Sequence, residues 1–311
     1  MVKDEYWYSF PSYCMNTFGR KLYRVALDAG MSCPNRDGTI GTGGCIFCDE
    51  GGSGDFAIAY HGQKLVEEDL IYNHSHSGNG SYIAYFQAYT NTYAPCDRLR
   101  MLYTSALDNP LFAGISIATR PDCLGDDVMA LLKELNNSYP DKFIWVELGL
   151  QSKHDRTAVW MHRGYPLTVF DEACEKLKDA GILIIVHIIL GLYQESDEMV
   201  LDTIRHLNEM HIDGIKIQLL HYLAGTKLYE KYVSGNEAPV PMEEEHYVEL
   251  VVQCLGMLDE NIVVHRLTGD GDRKLLKAPL WSLHKRKVLN EIRHEMAVHH
   301  IRQGSLRKKV E

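Results

Sequence analysis

SCPNRDGTIGTGGCIFC, residues 32–48, places Cys33, Cys45 and Cys48 on one glycine-rich loop at a spacing of Cys-x11-Cys-x2-Cys. A Cys-x2-Cys pair sets two thiolates on one tight turn, so both sulfurs can reach one metal or one cluster. Glycine lets the backbone around them wrap closely round a ligand. A structural zinc site normally closes with four ligands, and the nearest further candidates, His61 and Cys96, lie outside the loop. Three ligands suit an open site instead, because a four-iron cluster held by three thiolates leaves one iron free to bind a small molecule. Zinc and plain buried thiols are the alternatives for the loop by itself.

Outward from the loop, Leu22 to Leu27 is a short apolar run containing Arg24, and Asp28-Ala29-Gly30 punctuates it before the first cysteine. That reads as a strand feeding the loop. Further apolar segments run from Tyr82 to Phe86, Gly114 to Ala118, Phe143 to Leu150, Ile182 to Leu190 and Ile215 to Leu220. Between them, Asp126 to Asn136 reads as a helix with Val128, Leu131, Leu132 and Leu135 on one face, and Val169 to Ala180 and Glu198 to Met210 read likewise. Strand then helix, repeated roughly six times, implies parallel βαβ units, closing as a barrel or opening as a doubly wound sheet. Past Gly235 the pattern changes: Pro239 and Pro241 mark a boundary, and helices are expected at His246 to Leu258 and Leu283 to Ile301. Residues 1–235 thus form the α/β unit with its leader and loop, and 236–311 a helical extension packed on it.

Of the 311 residues, 45% are hydrophobic and 24% charged, which is ordinary for a globular chain and allows a sizeable core. The N-terminus has no basic-then-apolar signal pattern, and no apolar run approaches the roughly 18 residues that span a bilayer. A cytoplasmic protein without a membrane partner is expected. A net charge of -10 argues against a simple nucleic-acid binder. The distribution qualifies this, because from Asn261 onward twelve Lys and Arg stand against five Asp and Glu, a net of +7, leaving -17 for residues 1–260.

Cys45-Ile46-Phe47-Cys48 resembles the radical S-adenosylmethionine (SAM) motif, in which an aromatic precedes the last cysteine. Val146-Glu147-Leu148-Gly149-Leu150-Gln151-Ser152 resembles the fourth-strand motif of the Elongator catalytic subunit and of oxygen-independent coproporphyrinogen oxidase. Arg163-Gly164 with Thr168 resembles the turn that follows it, His187-Ile188-Ile189-Leu190-Gly191-Leu192 their fifth strand, and Lys216-Ile217 with Gly225-Thr226 and Leu228 their sixth. With Ser32-Cys33-Pro34-Asn35-Arg36-Asp37-Gly38 added, nearly the whole chain is similar to the YhcC/YtqA-like family of radical SAM proteins.

The resemblance implies a partial (β/α)6 TIM-type barrel with a [4Fe-4S] cluster on Cys33, Cys45 and Cys48, and SAM at the carboxyl ends of the strands. It implies Phe47 against adenine, Arg163 on the methionine carboxylate, Gln151 on the methionine moiety or ribose, and His187 at the ribose hydroxyls. Glu147 and Thr119 stand among the expected cofactor contacts. Two departures mark this chain. The Gly-Gly-Glu stretch that often binds the SAM amino group is replaced by Phe86-Gln87-Ala88-Tyr89-Thr90-Asn91-Thr92, leaving Gln87, Thr90 or Asn91 as candidates. Ala118 stands where Elongator-like proteins carry Glu before Thr119-Arg120-Pro121-Asp122.

Family similarity and the basic C-terminal part point to tRNA as substrate, with modification of the side chain of a wobble uridine. Arg266, Arg273, Lys274, Lys277, Lys285, Arg286, Lys287 and Arg307-Lys308-Lys309 could track a phosphate backbone, with Trp281 and Tyr222 as stacking platforms. A flavodoxin or ferredoxin would supply the electron. A small-molecule substrate is the second reading, and a zinc-stabilised scaffold protein the third.

Overall fold

The computed structural model describes residues 6–49, 57–71, 81–269, 271 and 273–307. Helix α1 (Phe10–Phe18) precedes β1 (Leu22–Asp28), β2 (Ile58–Ala59), α2 (Glu67–Ile71), β3 (Ser81–Phe86), α3 (Cys96–Leu107) and β4 (Phe112–Thr119). Then come α4 (Asp126–Ser138), β5 (Phe143–Gln151), α5 (Asp155–Trp160), α6 (Leu167–Asp179), β6 (Leu183–Leu190), α7 (Asp197–Glu209) and β7 (Gly214–Leu219). The chain ends with β8 (Tyr222–Leu223), α8 (Lys227–Ser234), α9 (Glu244–Met257), β9 (Val263–Arg266), β10 (Leu276–Ala278) and α10 (Lys285–Val298).

Eight strands form one sheet in the order β2-β1-β3-β4-β5-β6-β7-β9, every pair parallel. The six long ones, β1 and β3 to β7, fall where the apolar runs predict strands. Successive side chains point to opposite faces. Val25, Ile117, Val146, Val186 and Ile217 join Leu131, Phe170 and Ile204 of the surrounding helices in the main core. The alternate residues face inward.

Contacts across the sheet measure its curl. In a flat sheet β3 and β7 would lie about 19 Å apart, four strand spacings, yet Lys216 Nζ of β7 reaches the Tyr85 hydroxyl of β3 at 3.2 Å. The sheet therefore wraps a lumen. Among the described residues no strand pairing closes it from β2 to β9. The gap is bridged by the leader: Ser9 makes a parallel bridge to Val264, whose N–H donates to Tyr8 O at 2.8 Å. Arg24 of β1 and His265 of β9 meet across it at 2.5 Å.

The floor of the lumen is apolar. Phe10 and Cys14 of α1 pack with Leu22, Ile83, Trp145, Ile185 and Val263 in a buried cluster of their own. Trp145 stacks on Phe143 at 4.2 Å between ring centroids and meets Phe10 edge-on at 6.0 Å. Helix α1 exists because Ser9 caps it, accepting from Ser12 N, with Pro11 in its first turn and Gly19 ending it at φ 66°.

Residues beyond 236 form helices α9 and α10 as expected, and they also supply β9, a sheet strand that the sequence reading did not include. The β-branched run Ile262-Val263-Val264 is its local signal. No described helix is long and apolar enough to cross a membrane.

Candidate active site

The cysteine loop follows β1 and lies at the carboxyl ends of the strands, where barrel folds place chemistry. Its shape is set by backbone hydrogen bonds. Arg36 N and Asp37 N donate to Cys33 O at 2.8 and 3.2 Å, Gly44 N to Asn35 O at 2.8 Å, and Cys48 N to Cys45 O at 3.0 Å, closing the Cys-x2-Cys turn. Gly43 and Gly44 take φ of 79° and 77°, a conformation that side chains rarely adopt. Ile46, fully buried, pins the turn from both sides: its N–H donates to Met161 O at 3.1 Å, and its carbonyl accepts from Leu228 N at 2.8 Å. Phe47 is half-buried against the same apolar cluster as Met161, Leu220 and Leu228.

All three loop cysteines are free thiols and partly accessible. Burial pushes the Cys45 thiol up to about 12, with Cys48 and Cys33 adding repulsion while Arg120 and Asn35 oppose it. Burial likewise raises Cys48, against the pull of Arg36. These sulfurs feel one another's charge, and Asn35 Nδ2 donates to Cys45 Sγ at 3.7 Å. Three free thiols on one loop, with an N–H on one sulfur, fit an iron-sulfur cluster, whose properties are tuned by such hydrogen bonds. Among the described residues, no three His, Cys, Asp or Glu side chains are placed to hold a single metal ion.

The other expected residues divide into a rim and a lumen. On the rim, Gln151 ends β5 in a left-handed conformation, φ 60°, at a break in the β5–β6 register. In the orientation that satisfies its amide, its nitrogen faces Gly149 O and Leu150 O at 3.3 and 3.1 Å. Gln87 follows β3, its N–H donating to Leu27 O at 3.2 Å. Thr119 is buried and shares a 2.6 Å hydrogen bond with Thr92. Asn91, also buried, donates to Phe86 O, Ala88 O and Ala118 O, so it staples the loop after β3 to β4.

Arg163 is 1% exposed and donates to Leu150 O and Ser152 O at 2.7 Å and to Tyr165 O at 3.1 Å, with Asp155 3.4 Å away. In this arrangement its guanidinium fastens the carboxyl end of β5.

In the lumen, Glu147 is 1% exposed and Lys216 2%. Ser116 donates to Glu147 Oε1 at 2.8 Å, while His187 Nε2 lies 2.7 Å from Oε2 and Lys216 Nζ bonds the same oxygen. Despite burial, Lys216 and then His187 hold the Glu147 carboxyl well below its ordinary range. Burial, outweighing Glu147, brings the Lys216 ammonium down to about 7 and His187 to about 4. Glu147 and His187 were legible as polar residues in apolar strands. Arg24, Tyr85 and His265 of the same layer were not foreseen as site residues, although Arg24 interrupting its apolar run was the available signal.

Residues 37–207 match the Radical SAM superfamily, and residues 212–298 its C-terminal domain. The chain belongs to the radical SAM superfamily. The protein YtqA of Bacillus subtilis (strain 168) is 42% identical over 296 residues, covering 94% of this chain and 90% of YtqA. A tRNA uridine(34) acetyltransferase of Methanocaldococcus jannaschii is 26% identical over 159 residues, 50% of this chain and 28% of that protein. In fold, the chain is similar to the archaeal Methanocaldococcus infernus Elp3, with a TM-score of 0.66 at 17% identity, over 91% of this chain and 64% of Elp3.

As a radical SAM enzyme the protein uses a [4Fe-4S] cluster and SAM, and Cys33, Cys45 and Cys48 are the residues that fit the cluster. When bound, the pair supplies a 5'-deoxyadenosyl radical by one-electron cleavage of SAM. Three thiols lie on a pinned loop that also carries Phe47, Gln151 ends β5, and the buried polar side chains of Glu147, His187 and Lys216 meet inside the curled sheet.

Proposed function

We propose that this radical SAM enzyme modifies the side chain of a wobble uridine in tRNA, with a flavodoxin or ferredoxin as electron donor. In this reading Phe47 lies against adenine, Gln87 and Gln151 face the methionine end of SAM, and His187 faces the ribose. The observation that carries the substrate is a set of exposed cations sharing the barrel mouth with the cysteine loop. Arg273, Lys274 and Lys277 are exposed on and before β10. Strand β10 pairs with β8, which continues from the carboxyl end of β7. Helix α8, next in sequence, reaches the loop through Leu228 N to Ile46 O at 2.8 Å and Lys227 Nζ to Thr42 O at 3.2 Å. Cations placed this way would track a phosphate backbone. Similarity over half the chain to an enzyme named for tRNA uridine(34) supports the same class.

The stacking partners change. Tyr222 is buried with its hydroxyl on Pro239 O, and Trp281 packs on Tyr247 and donates to Met242 O. Trp160 and Tyr193, stacked at 5.5 Å beside the Met161 anchor, take that role here. Lys308 and Lys309 lie outside the described residues. The test is tRNA binding by the wild type and by Arg273→Glu/Lys274→Glu/Lys277→Glu at several salt concentrations. Binding should weaken at least about tenfold and the salt slope shrink by about 3; unchanged affinity and slope would remove the tRNA reading.

A further inference from the structure

A cavity of about 330 Å3 opens at the amino ends of the strands, on the face of the barrel opposite the cysteine loop. Its walls come from the leader, from the starts of β5, β6 and β9, and from the turns that precede β7 and β9. Its volume lies at the small end of ligand pockets, which are apolar with a few placed polar groups. His211 and Asn261 line it and are exposed, so the cavity communicates with solvent.

Two carboxylates stand in the lining. Asp259 is engaged: it accepts from Asn261 N at 2.9 Å and from Asn261 Nδ2 at 3.0 Å through Oδ1, and Arg307 pairs with its Oδ2. Asp213 is different. Its Oδ2 accepts from Ile184 N at 2.8 Å, and among the described residues nothing else bonds to its carboxylate. Lys178 is near enough to oppose the upward push of burial on this carboxyl, yet it forms no ion pair with it. Trp145, in the same lining, keeps its indole N–H buried and without a hydrogen-bond partner. A native structure leaves few such groups unused.

Tyr8 and Tyr13 form the aromatic part of the wall. Their ring centroids are 6.2 Å apart and their planes 66° from parallel, so the two rings meet as adjacent sides of a corner. Aromatic sides next to a carboxylate without a counterion suit an organic cation: rings attract a cation within about 6 Å, and a carboxylate accepts its N–H. The excess of negative charge over residues 1–260 favours a ligand of the same sign.

We propose that this cavity is a second ligand site, remote from the cysteine loop, that takes a primary organic ammonium, with its N–H donors on Asp213 Oδ1 and its hydrocarbon body against Tyr8 and Tyr13. Such a ligand ties the leader to β5, β6 and β9 beside the seam where the sheet does not close on itself, so its occupancy is read as stability. The inference is independent of the substrate acted on at the barrel mouth.

The test is calorimetric titration of the cluster-loaded protein, kept anaerobic and without reductant, with benzylammonium chloride. Benzyl alcohol and ammonium chloride are the controls, one lacking the charge and the other the body. Benzylammonium should bind, neither control should, and SAM should leave the affinity unchanged. Asp213→Asn keeps an acceptor for Ile184 N but removes the charge, and should weaken benzylammonium at least about tenfold. The thermal midpoint should rise with benzylammonium in the wild type and not in Asp213→Asn. Tyr13→Leu should weaken binding about threefold or more, and carries the test should Asp213→Asn fail to fold. No binding of benzylammonium, or wild-type affinity in either variant, overturns the proposal. Equal binding of benzyl alcohol overturns it as well, because the cavity would then select only an apolar body. Competition by SAM would put the cation at the barrel mouth and likewise overturn it.

Discussion

Strand β5 alone crosses two chemistries. At its start Trp145 lies among Phe10, Phe143 and Ile185; two residues on, Glu147 ties together Ser116, His187 and Lys216; at its end Gln151 takes a left-handed backbone conformation. The floor is held by apolar burial, which is non-directional and tolerant of small shifts. The upper half is held by hydrogen bonds and charge pairs whose partners must all be present. The same sheet therefore keeps its stability at one end and its chemistry at the other, and a substitution should read out differently according to which end it touches.

The largest expected effect belongs to the floor. Trp145→Ala should cost about 3–5 kcal/mol in denaturant unfolding, while iron bound per folded molecule stays as in the wild type. Iron loss in that variant would show that the two ends are not separable. Ile46→Ala, at the mouth, should cost about 2–4 kcal/mol and also lower iron content, since Ile46 pins the turn between Cys45 and Cys48. Full iron loading there would mean that the turn holds its shape without the pin.

The lumen is distinguished by pH. The folded-state pKa of His187 is lowered to about 4, so between there and the ordinary value of about 6.5 the unfolded chain binds a proton that the folded one does not. Stability should therefore fall, on the order of 3 kcal/mol, as pH drops through that window and stay level with respect to His187 above it. His187→Gln should flatten this part of the profile, whereas an unchanged profile would place the acid sensitivity elsewhere. The smallest effect sharpens the support of the loop. Thr226 caps α8 by accepting from Tyr229 N at 3.2 Å, and Thr226→Ala should cost about 1 kcal/mol, measured in the same unfolding experiment.

What the sequence disclosed follows the same division. The six long strands were legible because residues buried on both faces leave continuous apolar runs such as Ile182 to Leu190. The cysteines were legible because their spacing is local. Helix α1 was read only as a leader, although Ser9, Pro11 and Gly19 spell its start and stop. The Arg24–His265 bridge spans 241 positions, and no local pattern announces a contact between the first and last strands of a curled sheet. Arg163 shows the converse: its motif was visible, but only the coordinates show its donors directed to Leu150, Ser152 and Tyr165.

The most direct measurement is of SAM cleavage. The protein is reconstituted anaerobically with iron and sulfide, given dithionite and SAM, and compared with the Cys33→Ala/Cys45→Ala/Cys48→Ala variant for 5'-deoxyadenosine released. Product from the wild type and none from the variant is the expected result. A wild type that carries a full cluster and releases none would contradict the account.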